Sequence, residues 1–243
     1  MKINIRRFNK ELSNESTITK YEVNNTNLLK ALIEIKEEID SSLSFRCGCK
    51  SGVCGSCAVK VNGVERLACK VFIKDDDLIE PLKNIEVIKD LIVNVSHETF
   101  LINKTKSYIN KNSNKEIKQE NIEKIDLQSN CILCNSCFSS CPVYDVKDSF
   151  IGPFALSRAL RYVNDEKLES NDEIISSIQT DGIWDCTLCS ACTLVCPQGI
   201  DPKADIMQLQ NISVQKGYTN PNFQNFSFDF NDDFGGGFNP NGF

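Results

Sequence analysis

Apolar and polar positions change their rhythm along the chain. Residues 2–8 and 19–23 have strand-like character. Between residues 28 and 39, Leu28, Leu29, Leu32, Ile33, Ile35 and Ile39 fall at helical spacing, and Asn25, Thr26 and Asn27 offer caps before them. Residues 58–61 and 64–68 flank Asn62-Gly63, the dipeptide that favours a two-residue hairpin turn. Short apolar runs at 71–73 and 78–82 could add strands. Strand, strand, helix, hairpin is a β-grasp-like order. Residues 103–125 are rich in Lys, Asn and Glu and read as a helical connector or solvated face, with a domain boundary near residue 100. Helical periodicity follows at 153–163, 171–179 and 202–215, where Pro153 and Pro202 stand at positions that can open a helix. From Thr219 the chain becomes a Gly/Asn/Phe tail holding seven of its 14 phenylalanines, either disordered or an aromatic docking segment.

Composition narrows the picture. In 243 residues, 41% apolar content can build a core, and a formal charge of −6 lacks the basic footprint of a nucleic-acid binder. No apolar run reaches the roughly 18 residues of a membrane span. The segment Met-Lys-Ile-Asn-Ile-Arg-Arg lacks the apolar stretch of a secretion signal. Thirteen cysteines stand against one histidine, His97. A lone histidine excludes multi-histidine zinc sites, bis-histidine haem and a Rieske centre, and His97 itself reads as a surface or packing residue. Clustered cysteines in a chain without a secretion signal point to metal rather than to disulfides.

The cysteine spacings say which metal. Cys49-x4-Cys54-x2-Cys57 with Cys69 further on is the plant-type [2Fe–2S] arrangement. Cys57 and Cys69 lie at opposite ends of the Asn62-Gly63 hairpin, so strand pairing returns the fourth thiolate to the first three. Gly48, Gly52 and Gly55 permit close backbone approach there, and backbone N–H groups could donate to the sulfurs. Cys131-x2-Cys134-x2-Cys137-x3-Cys141-Pro142 and Cys186-x2-Cys189-x2-Cys192-x3-Cys196-Pro197 are two copies of the bacterial two-cluster ferredoxin run. In that run the fourth cysteine ligates the other cluster. The expected assignment is therefore crossed: Cys131, Cys134, Cys137 and Cys196 on one [4Fe–4S] cluster, and Cys141, Cys186, Cys189 and Cys192 on the second. Cys47 is left over as a non-ligand thiol, with a ligand or redox role as the alternative.

The three motifs in this order resemble the iron–sulfur subunit of the succinate dehydrogenase/fumarate reductase family, over roughly residues 1–218. The resemblance extends to Phe45-Arg46 before the first cysteine loop, to Pro81-Leu82 with the segment Val87 to Val93, and to Gly152-Pro153 with Arg161-Tyr162. It implies an α+β protein: an N-terminal β-grasp [2Fe–2S] ferredoxin domain over residues 1–100, then an all-α helical ferredoxin domain over 101–218, with the tail at 219–243. It also implies a role in relaying electrons between a flavoprotein subunit that carries FAD and a quinone-reactive, membrane-associated subunit. No residue of this chain then makes or breaks substrate bonds, and the catalytic set is empty.

Two features depart from the common family pattern. Most members lack a cysteine where Cys189 stands, which leaves a three-iron [3Fe–4S] centre. Cys189 completes four and points to the branch whose membrane partner is cysteine-rich. The tryptophans usual after the middle motif are replaced by Pro142-Val143-Tyr144-Asp145-Val146, which puts a standard quinone pocket in doubt, and Trp184 reads as local packing. Peripheral attachment on the cytoplasmic side of the membrane is the default location, with co-export beside a signal-bearing flavoprotein as the other route. The alternatives are a subunit of a related flavin-linked oxidoreductase, such as a thiol- or heterodisulfide-linked fumarate reductase or another 2-hydroxy acid dehydrogenase, and a free ferredoxin-like carrier.

Overall fold

The computed structural model describes residues 1–11 and 15–221, so the aromatic segment from residue 222, and the question of its docking, lie outside the described residues. The N-terminal half is organised around a mixed sheet. Strands β1 (Lys2–Arg7) and β2 (Thr17–Glu22) pair antiparallel, with Ile3 opposite Tyr21. Strands β3 (Ala58–Val61) and β4 (Val64–Leu67) form the expected hairpin. Its two turn residues, Asn62 at φ 50° and Gly63 at φ 81°, both take the positive φ that a tight primed turn demands. Strand β5 (Leu78–Glu80) lies between the pairs, parallel to β1 and antiparallel to β3, giving the order β2-β1-β5-β3-β4.

Helix α1 (Leu28–Glu34) covers one face of this sheet. Asn27 caps it by accepting from the Lys30 amide at 3.3 Å. Its last turn widens to π geometry over Ile35–Ile39, so the predicted helical run is continuous but not uniform. Ile3, Ile5, Leu28, Leu32, Ile35, Leu43 and Ile79 are fully buried and form the centre of this first core.

Two expectations need correction. Residues 71–73 do not form a strand: Phe72 makes only an isolated bridge to Asn27 and is 75% exposed. The backbone on either side of it pairs instead with the turn before α1: the Val71 carbonyl accepts from the Leu28 amide at 3.0 Å, and the Ile73 amide donates to the Thr26 carbonyl at 2.8 Å. Conversely, an unforeseen second hairpin, β6 (Val87–Lys89) with β7 (Ile92–Val93), turns at Asp90 with φ 48°. The Asp90 carboxylate, 2% exposed, accepts from Arg7 Nε at 2.9 Å, from the Phe8 amide at 3.1 Å and from the Ser44 amide at 2.8 Å. Arg7 also reaches Tyr21 and Asp40. The Ser42 hydroxyl, Tyr21 and Arg7 together hold the Asp40 carboxyl far below the usual carboxylate range.

The second half is helical, as its periodicity suggested. The Lys/Asn/Glu-rich stretch is only partly so: α2 (His97–Lys104) and α3 (Gln119–Ser129) bracket an irregular connection. Helix α5 (Pro153–Val163) is the central element, with Phe154, Ala155, Leu156, Ala159 and Leu160 buried. Around it pack α6 (Asp172–Ser177) and α8 (Pro202–Gln215). Helix α8 starts at proline after Asp201, whose side chain accepts from the Ala204 amide at 3.0 Å. The buried residues of the first core run to Val93 and those of the second start at Leu101. Trp184 packs in the second core and its Nε1 donates to Gln179 at 2.9 Å.

Replacing Asp90 with alanine leaves the Arg7 guanidinium and two backbone amides without their buried acceptor. A loss of about 3 kcal/mol is expected, read as a lower urea midpoint at unchanged slope.

Candidate iron–sulfur sites

The first cysteine loop presents backbone donors to its sulfurs. The amides of Ser51 and Val53 both lie 3.4 Å from Cys49 Sγ, and the Cys49 amide lies 3.4 Å from Cys54 Sγ. The Ser51 hydroxyl and these amides bring the Cys49 thiol down to about 5. Cys57 is buried at the foot of β3, and burial pushes its thiol up to about 11, with Cys69 and Cys54 as sulfur neighbours. The register Ala58 opposite Leu67 brings Cys69 back to Cys57, and the Asn27 side-chain amide holds the Cys69 carbonyl at 3.0 Å. Cys47 is exposed beside this loop.

The two later runs share one backbone shape. Leu133 and Asn135 have φ of 51° and 62°, and the equivalent Leu188 and Ser190 have 55° and 69°. Leucine seldom adopts this left-handed conformation. Here it turns an amide back onto the cysteine two residues earlier: the Leu188 amide lies 3.4 Å from Cys186 Sγ. The Leu133 amide likewise favours the charged form of Cys131, against a larger opposing effect of burial. A single short helical stretch follows in each case, α4 (Ser136–Ser139) and α7 (Ala191–Leu194), before the Cys-Pro step.

Sulfurs from the two runs interleave. One cavity is lined by Cys131, Cys134, Cys137 and Cys196, with Phe154 and Ile200. A second is lined by Cys141, Cys186, Cys189 and Cys192, with Phe150 and Ile206. Burial raises the Cys131 thiol, and Cys134 and Cys196 crowd it further. Burial likewise pushes Cys141 up to about 11 and Cys192 up to about 12, each crowded by thiols of the second set. Cys137 is raised well above the ordinary thiol value by burial, with Cys134, Cys131 and Cys192 as charged neighbours. Among the described residues, no three His, Cys, Asp or Glu side chains close on one point as a single bound ion requires. The sulfurs instead border the space between them. Desolvated thiols set side by side resist ionisation unless a cationic centre lies among them, and the donor set suits iron with sulfide.

The two halves of the chain meet between these sites. A Cβ built on Gly55, whose φ is +71°, would stand 2.8 Å from the Ile132 carbonyl and 2.9 Å from Cys134 Cα, so glycine is what allows the first loop to touch the second motif. Gln198, just past Cys196-Pro197, donates to the Gly52 carbonyl at 3.2 Å. The Asn84 side chain donates to the carbonyls of Phe138, Ser139 and Cys141 at 3.3, 3.1 and 3.2 Å. His97 does pack, stacking on Phe138 at 4.5 Å between ring centroids, but its Nε2 also lies 2.9 Å from Asn135 Oδ1 inside the second motif. Neither Asn84 nor Asn135 carried a sequence signal beyond its place beside a motif.

A fold of sheet followed by helices, with one plant-type cysteine loop and two interleaved runs, defines an iron–sulfur electron carrier. Residues 2–100 match the model of a 2Fe-2S iron-sulfur cluster binding domain, and residues 128–200 that of a 4Fe-4S dicluster domain. The chain is 34% identical over 232 residues to the fumarate reductase iron-sulfur subunit of Haemophilus influenzae, covering 86% of this chain and 91% of that one. It is 34% identical over 204 residues to the succinate dehydrogenase iron-sulfur subunit of Paracoccus denitrificans, covering 78% and 77%. A chain of the Mycobacterium smegmatis Sdh1 complex in the apo form shares the fold, with a TM-score of 0.76 at 22% identity over 90% of this chain and 97% of that one. The chain belongs to the family of fumarate reductase and succinate dehydrogenase iron–sulfur subunits. No described helix is long and apolar enough to cross a membrane.

Gly55→Ala should strain a left-handed position by about 1–2 kcal/mol and push the first loop off Cys134. A fall in thermal midpoint together with a weaker magnetic interaction between neighbouring centres is the expected result.

Proposed function

We propose that this chain relays electrons between a FAD-bearing flavoprotein and a quinone-reactive, cysteine-rich membrane partner, as a subunit of a succinate/fumarate oxidoreductase. Its site comprises three centres. Cys49, Cys54, Cys57 and Cys69 would hold a [2Fe–2S] cluster. Cys131, Cys134, Cys137 and Cys196 would hold one [4Fe–4S] cluster, and Cys141, Cys186, Cys189 and Cys192 the other. The domains would be a β-grasp ferredoxin unit over residues 1–100 and a helical ferredoxin unit over 101–218, attached peripherally to the cytoplasmic face of the membrane. Cys47 would remain a non-ligand thiol.

One observation carries this reading: Cys196 lines a cavity with the first run, and Cys141 lines one with the second. Local spacing could gather three sulfurs from each run. Only an interleaved fold brings Cys141 to Cys186 and Cys196 back to Cys137, 45 and 59 residues apart in the sequence. When bound, the clusters accept and release single electrons. The chain's own residues do the rest. Backbone amides at Ser51, Val53 and Leu188 donate to sulfur and offset negative charge there. Phe154, Phe150 and Ile206 exclude water from the cavities. Gly55 lets the first loop meet the second motif, and Gln198 ties the same loop to the end of the last run.

Cys189 is the sharpest point of the reading. Anaerobically purified protein should show no stoichiometric [3Fe–4S] EPR signal when oxidised, and Cys189→Ser should convert one cubane to a three-iron centre. A stoichiometric three-iron signal in the unaltered protein would overturn the second four-cysteine set.

A further inference from the structure

Glu65 is 4% exposed, an unusual place for a carboxylate. It lies on β4, inside the hairpin whose ends carry Cys57 and Cys69. Its Oε1 accepts from Ser139 Oγ at 2.7 Å, and Ser139 Oγ in turn accepts from the Lys83 amide at 2.8 Å. Ser139 is the last residue of α4, the short helix that carries Cys137. The chain of hydrogen bonds therefore runs from Lys83, just after β5, through the second motif to the first hairpin. Glu65 also borders a cleft between the first hairpin and both later runs, together with Gly52, Lys70, Ser136 and, from the last run, Leu194, Val195 and Cys196. None of these residues lines the cavity of Cys141, Cys186, Cys189 and Cys192. Arg66 and Lys70 edge the same cleft but are exposed, so solvent and salt screen them far more than they screen Glu65.

A purely structural seam would not need a charge here, because a neutral acceptor satisfies Ser139 equally well and costs less to bury. We propose that Glu65 is a positioning residue of the electron path, an interior negative charge held between the first two centres by Ser139 that lowers the reduction potential of both. The proposal rests on the cluster assignment above. Reduction adds an electron to a centre already negative with its thiolates, so a nearby buried anion opposes it. The third centre, whose cavity shares no lining with the Glu65 cleft, should feel that charge least.

The test is an EPR-monitored redox titration of the full chain with its clusters in place. Unaltered protein must first show the three cluster signals; their absence removes the cluster assignment itself and is distinct from any result at Glu65. With the signals present, Glu65→Gln keeps an acceptor for Ser139 and deletes the charge. It should raise the midpoint potentials of the [2Fe–2S] cluster and the Cys131/Cys134/Cys137/Cys196 cluster and leave the third nearly unmoved. Glu65→Asp, which keeps the charge, should stay close to the unaltered protein. Should Glu65→Gln not assemble, Glu65→Met, apolar and of similar length, must move the same two potentials upward. Unchanged potentials in Glu65→Gln, equal shifts at all three centres, or a shift in Glu65→Asp as large as that in Glu65→Gln would each overturn the proposal.

Discussion

Twelve thiols gathered into three groups of four create a problem of charge before they create a binding site. Burial raises Cys57, Cys131, Cys137, Cys141 and Cys192, and their sulfur neighbours add repulsion. Such groups do not become thiolates unaided in a medium of low dielectric. Much of the local backbone can be read as an answer to this constraint. The left-handed residues Leu133 and Leu188 turn amides toward sulfur, and the first loop does the same at Ser51 and Val53. Cations within the sulfur cages would supply the remainder, so the metal would contribute directly to folding free energy, as in other structural metal sites.

The same constraint shapes the junction between the halves. An electron carrier is useful only if its centres lie close, yet two independently packed cores tend to meet through small polar contacts. Here the junction is built of tight ones. Glycine at position 55 removes the side chain that would hold the backbones apart. Asn84 ties the carbonyls of Phe138, Ser139 and Cys141 in the second motif, and His97 with Asn135 closes the other side. These contacts use backbone carbonyls and short side chains, which hold geometry with little rotamer freedom to lose.

Much of this was legible in the amino-acid sequence because it rests on spacing and periodicity. The Asn62-Gly63 turn and the Pro153 and Pro202 helix starts follow from local rules. The hairpin at residues 87–93 has little local signal because its strands are very short and its turn is formed by Asp90, whose carboxylate is held from afar by Arg7, Phe8 and Ser44. Residues 71–73 look like a strand, but their backbone groups pair with Thr26 and Leu28 before the first helix rather than with the sheet. Nothing local marks Leu133 or Leu188 as left-handed, since leucine has no preference for that region. Glu65 and His97 were equally silent: their partners lie 74 and 38 residues away, a pairing that only the folded chain reveals.

The interleaving of the two helical runs also bears on how the protein is made. A chain leaving the ribosome N-terminus first can fold its sheet, and present Cys49 to Cys69, while the rest is still being synthesised. Neither of the later four-sulfur sets is complete until the last run is made: the set that includes Cys141 waits for Cys192, and the set of Cys131, Cys134 and Cys137 waits for Cys196. Both sets therefore depend on the same late stretch of chain, residues 186–196. A nascent chain stalled between residues 142 and 185 would carry four unpartnered thiols of the first run, Cys131, Cys134, Cys137 and Cys141, and neither complete cage.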